Sequence, residues 1–195
     1  MQQEDPELVS RGQQGDLSAF NQIVERYQSQ VYNHAARILG DRTTAQDITQ
    51  ETFISAHRAL AKFRGGSLRA WLLRIGSNLS YDFIRKSRRR AEQSLDQSLE
   101  NPGFAAPSKD PSPEDSAISG ELRVELQKAI LALPMDQRTV LVLIDVQGLS
   151  YEEAAETTRA SLGTVKSRLN RARSAVRKLI MQNRELLPAQ FRRNE

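Results

Sequence analysis

Apolar residues recur at helical spacing through most of this 195-residue chain, and no stretch alternates convincingly as a strand. Asp5 and Pro6 mark a first helix start, and Asp16 is placed to cap a second. That second helix carries Phe20, Ile23, Val24, Tyr27, Val31, Ala35 and Ile38 on one face before Gly40 stops it. A third stripe, Ala45, Ile48, Phe53, Ala56, Leu60 and Phe63, leaves Asp47, Gln50, Glu51, Ile54 and Arg58 on the opposite side. After a loop at 63–67, a fourth helix is predicted to bury Leu68, Leu72, Ile75, Leu79 and Phe83. It turns Trp71, Arg74, Asn78, Tyr81 and Arg85 outward.

The period breaks between Ala91 and Gly120, a serine-rich segment with Pro102, Pro107, Pro111 and Pro113. Beyond it, Leu122, Leu126, Ala129, Ile130 and Leu133 make a helix that Pro134 terminates, and Asp136 is placed to cap the next. That helix is apolar through Val140, Leu143 and Ile144 and stops at Gly148. The predicted fold class is all-α: two small helical bundles joined by a flexible linker, with a helix-turn-helix in the second. The expected divisions are residues 1–90, 91–120 and 121–195.

The helix-turn-helix lies in SYEEAAETTRASLGTVKSRLNRARSAVRKL, Ser150 to Leu179. Ser150 and Glu153 have capping-box spacing. A second helix starts near Ser161, with Val165, Leu169, Ala172, Val176 and Leu179 as its buried stripe. Lys166, Ser167, Asn170, Arg171 and Arg173 remain outside it, a set suited to a major groove. A merely cationic surface helix is the competing reading. The capping box, turn and charge asymmetry, occurring together in this order, favour DNA.

Charge changes the picture next. The net charge of +4 favours an anionic partner. It is unevenly spread: both the Lys62–Arg90 stretch and the Ser161–Arg193 stretch hold nine bases and one acid, whereas 91–120 holds six acids and one base. Two basic modules on an acidic tether suggest two DNA contacts with a mobile spacing. The chain has no cysteine, which removes disulfides, thiolate metal sites and a cysteine nucleophile. His34 and His57 are expected at the surface or its boundary, with no metal-ligand spacing. No glycine-rich phosphate loop and no acid-base set for catalysis is present, so no cofactor and no enzyme activity are expected. The acidic first residues lack an apolar run, and no segment is long and apolar enough to span a bilayer. A soluble intracellular protein without membrane insertion is expected.

The outward face of the fourth helix mixes flat rings with cations, which suits unstacked bases and phosphates of a melted strand. The alternative is that Trp71 packs at the core's edge and Tyr81 merely snorkels. The face of Asp47, Gln50, Glu51 and Ile54 has the wrong sign for DNA. It suits either a protein partner or plain solvation.

The order of these parts resembles bacterial sigma factors of the extracytoplasmic-function type, the small subunits that direct RNA polymerase to promoters. AFNQIVERYQSQVYNHAARIL, DITQETFISA and FRGGSLRAWLLRIGSN look like the family's second conserved region, and the segment from Glu121 to Leu179 looks like its fourth. The resemblance implies that Asp47, Gln50, Glu51 and Ile54 dock on the clamp helices of core RNA polymerase. It implies that Phe63, Arg64, Gly65, Gly66 and Ser67 receive a flipped base of the minus-ten element, with Trp71, Arg74, Asn78 and Arg85 beside them. Thr164, Lys166, Ser167, Arg168, Asn170 and Arg171 would contact the minus-thirty-five element. Promoter DNA, core polymerase and an anti-sigma factor are the implied partners. Two positions depart from the family pattern: Leu72 stands where primary sigma factors have a second tryptophan, and Asn170 replaces a bulky apolar residue found in some members. The competing function is a stand-alone helix-turn-helix regulator with a protein-binding amino-terminal bundle. A DNA-processing enzyme ranks below both for want of a nucleophile with its partners.

Overall fold

The structure, a computed structural model, describes the backbone at residues 5–93 and 113–182 and side chains at 5–90 and 120–182. Four helices form the amino-terminal bundle: α1 (Asp5–Gln13), α2 (Leu17–Leu39), α3 (Arg42–Ala59) and α4 (Leu68–Gln93). Four more form the carboxy-terminal one: α5 (Pro113–Leu131), α6 (Met135–Leu141), α7 (Tyr151–Thr158) and α8 (Leu162–Gln182). Among the described residues there is no strand. Most of the predicted acidic linker lies outside the described residues. The structure corrects its carboxy-terminal edge, because α5 begins at Pro113, whose fixed φ suits a first helical position.

Local chemistry sets the helix ends. Asp16 caps α2 by accepting from the backbone N–H groups of Ser18 and Ala19 at 2.9 and 3.1 Å, and also pairs with Arg11 at 2.8 Å. The Arg11 guanidinium, helped by the backbone donors, holds the Asp16 carboxyl below its ordinary range. Gly40 closes α2 with φ +76°, and a Cβ there would lie 2.5 Å from Leu131. The glycine therefore serves both the cap and the approach of α5. Ser150 and Glu153 form the capping box, with bonds of 3.0 and 2.9 Å. Asp136 is no cap: it is the second residue of α6, whose N-cap position is Pro134, and it pairs with Arg168 at 2.9 Å.

The amino-terminal bundle closes around Leu8, Phe20, Ile23, Tyr27, Val31, Phe53, Leu60 and Leu72. A second core crosses between the bundles. Ile38 of α2 and Ala70 and Leu73 of α4 pack with Ile130, Leu133, Val140, Leu143, Leu149, Val165, Leu169 and Ala172. Polar contacts pin the same boundary. Buried Arg138 donates to the Ile38 carbonyl at 2.6 Å and to those of Leu131 and Leu133. Gln127, also buried, accepts from Arg37 at 3.0 Å and donates to its carbonyl at 3.1 Å. Arg69 reaches the Gln147 carbonyl.

Two departures from the predicted pattern lie on α4 and α2. Phe83, expected in the core, is 42% exposed, while Leu73, Ser77 and Ser80 are buried. Small residues make a further buried face on α4: Gly76 lies near Thr52 and Val31, and Ser77 near His34, which lets α2 and α3 approach closely. A search for large apolar side chains does not register such a face. His34, expected near the surface, is fully buried and lies 2.7 Å from the Ser77 hydroxyl. Burial pushes its pKa down to about 3, so the imidazole is neutral near pH 7.

Candidate polymerase and nucleic-acid interfaces

Three surfaces hold the predicted site residues. On α3, burial of Ala45, Ile48, Thr52, Phe53 and Ala56 fixes the helix roll. Asp47, Gln50, Glu51 and Ile54 consequently share the exposed side, with Ile54 at 45% exposure. The Thr52 hydroxyl is satisfied by the Ile48 carbonyl at 2.7 Å, leaving no buried polar group to disturb that roll. A shallow groove beside this face is lined by Gln28, Ser29 and Tyr32 of α2 together with Asp47 and Gln50.

The second surface is the loop at 63–67 and the start of α4. Gly65 and Gly66 adopt φ of +96° and +90°, which only glycine takes up without strain. Arg64, Gly65 and Gly66 are exposed. The loop is held at its two ends: Ser67 caps α4 by accepting from the Ala70 N–H at 3.2 Å, and the Phe63 ring packs on Trp71 with centroids 5.1 Å apart. Trp71 packs at the edge of the amino-terminal core and remains half-buried beside Arg74. Asn78, Tyr81 and Arg85 are exposed further along α4, where Arg85 pairs with Asp82 at 3.1 Å.

Side chains from α7 complete this surface. A cleft of about 740 Å³ runs between the loop and α1, bounded by Asp5, Gln13, Tyr27, Arg64 and Glu153. A smaller one brings Trp71 and Arg74 against Glu156 and Thr157. Thr157 also bonds the Ala70 carbonyl at 3.4 Å. The acids of α7 are visible in the sequence, but which surface they approach depends on the contact between the bundles.

On the third surface, α7 and α8 form the helix-turn-helix. Arg159 makes the turn in the left-handed conformation, φ +52°, costing roughly 1 kcal/mol relative to glycine. Val165, Leu169 and Ala172 are buried, which turns Lys166, Asn170 and Arg171 to solvent. Thr164, Ser167 and Arg168 are half-buried and already engaged. Thr164 bonds Ser161 at 2.9 Å, Ser167 bonds the Thr164 carbonyl at 2.9 Å, and Arg168 pairs with Asp136. Arg173 is drawn toward Asp145 at 2.9 Å, which strengthens its hold on its proton. Among the described residues no cluster of potential metal ligands occurs, and no helix is long and apolar enough to cross a membrane.

Residues 23–90 match the Sigma-70 region 2 family and residues 123–176 match Sigma-70, region 4. The RNA polymerase sigma-H factor of Pseudomonas aeruginosa is 39% identical over 184 residues, 92% of this chain and 95% of that protein. The ECF RNA polymerase sigma-E factor of Escherichia coli is 39% identical over 178 residues, 88% and 92% of the respective chains. The ECF RNA polymerase sigma factor SigE of Mycolicibacterium smegmatis is 36% identical over 166 residues, 85% of this chain and 63% of that protein. Among solved structures, the sigma factor RpoE of Bartonella quintana, in complex with the anti-sigma factor NepR, superposes with a TM-score of 0.71 at 28% identity. That match covers 83% of this chain and 96% of the other. CnrH in complex with the cytosolic domain of CnrY gives 0.67 at 30% identity, covering 92% and 99%. With its paired region 2 and region 4 segments, and two relatives 39% identical over 92% or more of their own length, the chain belongs to the ECF sigma factors of RNA polymerase.

Proposed function

We propose that this sigma factor divides promoter recognition among its three surfaces and performs no chemistry of its own. The exposed α3 face, Asp47, Gln50, Glu51 and Ile54, docks on core polymerase. Lys166, Asn170 and Arg171 of α8 contact the minus-thirty-five duplex, with Thr164, Ser167 and Arg168 available once their internal partners are exchanged. The loop at 63–67, with Trp71, Arg74, Asn78 and Arg85, takes up the melted minus-ten strand. The observation that carries this reading is the second surface: an unpacked glycine loop beside a half-buried indole and arginines. Such a surface can accept an unstacked base and hold its phosphates, and base stacking on an aromatic is worth about 1 to 3 kcal/mol. The compartment that fits is the cytoplasm, beside the polymerase.

Glu153 and Glu156 sit over that loop and carry the same sign as a DNA backbone. A strand therefore enters the groove only after α7 moves aside, which also lets the two bundles reach separate promoter elements. An anti-sigma factor is the natural antagonist, given that the similar RpoE and CnrH structures were solved in complex with NepR and with part of CnrY.

Trp71→Ala tests the assignment. The variant holoenzyme is expected to lose about tenfold or more of its open-complex formation on duplex promoters, the lower part of the stacking range. On templates opened in advance across the minus-ten element the deficit should shrink, because the strands no longer have to be separated. Equal activity of variant and parent on duplex DNA would remove the tryptophan from strand capture.

A further inference from the structure

The loop that receives the base has little packing of its own. A Cβ built on Gly65 or Gly66 meets nothing within 4 Å, and both residues are exposed. Its carboxy-terminal end is tied by Ser67 to the start of α4. Its amino-terminal end is tied by a residue from another helix. The Gln13 carboxamide, the last residue of α1, donates to the Phe63 carbonyl at 2.8 Å and to the Leu60 carbonyl at 3.1 Å. Those two carbonyls bracket the 3-10 turn Leu60–Lys62 that leads into the loop, and the Phe63 N–H closes the same turn on the Leu60 carbonyl at 2.9 Å.

Gln13 is itself well placed for this task. Gly12 lies so near Leu60 that a Cβ there would come within 2.8 Å of its Cδ2, so the end of α1 sits directly against the turn. At the other end of the helix, Asp5 pairs with Arg26 at 2.7 Å and accepts from the Tyr27 hydroxyl, fixing α1 on α2. α1 thus forms the wall of the 740 Å³ cleft opposite the loop. It precedes residue 23, where the region 2 match begins, so the motif itself gives it no role.

We propose that Gln13 is a positioning residue for base capture, holding the Phe63–Ser67 loop in its receptive shape from outside region 2. This rests on the assignment of that loop to the minus-ten strand. Phe63 is where the effect is transmitted: its carbonyl takes the Gln13 bond, while its ring packs on Trp71. Release of that carbonyl frees the loop and the partner of the indole together. The consequence is local. Selection of one base should weaken, while docking on polymerase and binding of the duplex element stay as they are.

The test uses holoenzyme and single-stranded DNA carrying the non-template minus-ten segment of a promoter from which that holoenzyme initiates, with each position varied in turn. Gln13→Glu keeps the shape but replaces the donor with an acceptor facing two carbonyls. It should lower discrimination at one position by about fivefold, as expected for partly exposed neutral hydrogen bonds. Arg64→Ala, in the loop itself, should affect that same position. Gln13→Lys retains N–H donors and should restore most of the selectivity, and Gln13→Ala should behave as the Glu variant does. Core affinity should match the parent in all Gln13 variants, while the thermal midpoint should fall by no more than about 2 to 4 °C, the worth of about 1 kcal/mol in a chain of this size. If Arg64→Ala alters selection at one position and Gln13→Glu leaves it at the parental value, or weakens all positions equally, the positioning role is overturned while the loop assignment stands. If Arg64→Ala changes no position, the loop assignment fails and the role of Gln13 fails with it.

Discussion

Arg138→Ala is expected to destabilise the folded chain by about 3 to 5 kcal/mol, a large share of the roughly 5 to 15 kcal/mol that holds a typical domain folded. Arg138 is 8% exposed, and its guanidinium bonds three carbonyls, those of Ile38, Leu131 and Leu133. Leu131 ends α5 and Ile38 lies in the last turn of α2, so the charge also meets the negative ends of two helix dipoles. Burial lowers the Arg138 pKa, yet a guanidinium starts so far above neutrality that it stays charged. Alanine removes the donors and leaves the acceptors without partners. Arg138→Lys keeps the charge but not the planar fork, and should recover part of the loss. Urea unfolding followed by circular dichroism measures both. A loss below about 0.5 kcal/mol for the alanine variant, the range of an ordinary surface substitution, would show that the tie between the bundles is ornamental.

Reversing charge at Glu51 should act on association and leave folding alone. Glu51 is exposed on α3, and its bond with the Ser55 hydroxyl, at 3.5 Å, is long and weak. Glu51→Lys should therefore unfold at the parental urea concentration. At a basic docking surface the same change replaces an attraction with a repulsion, and like charges brought together across an interface cost several kcal/mol. The expected result is a rise of about a hundredfold or more in the Kd for core polymerase, measured by fluorescence anisotropy of labelled chain, with the difference shrinking as salt is raised. Isolated α7–α8 contacts with duplex DNA should be unaffected, because Glu51 lies on α3. A variant that binds core polymerase as the parent does would place the docking surface elsewhere.

How much of this was legible in the sequence depends on what kind of contact set each feature. The helix count, the caps at Asp16 and Ser150, the stop at Gly40 and the buried stripe of α8 follow from local rules, and periodicity finds them. The exposure of Asp47, Gln50, Glu51 and Ile54 follows from the same stripes read in reverse. What escaped is the burial of polar residues inside the amino-terminal bundle and the surface between the bundles. Ser77 and Ser80 look like solvent-facing residues until α4 is seen to have neighbours on two sides, and Phe83 looks like core by period although it is 42% exposed. His34 is a polar residue buried inside the amino-terminal bundle, where it lies against the hydroxyl of a serine 43 positions away. Gln13 is harder still. A glutamine at a helix end has no pattern to betray it, and its role emerges only when the carbonyls of Leu60 and Phe63 are placed beside it.

The most direct test of promoter recognition by this chain is run-off transcription with purified protein, core polymerase and fragments of genomic DNA bearing mapped start sites. Transcripts of defined length from a subset of fragments, absent with core polymerase alone and moved or lost when the minus-ten or minus-thirty-five segment is changed, are the predicted result. Core polymerase that gives the same products with and without the protein would contradict it.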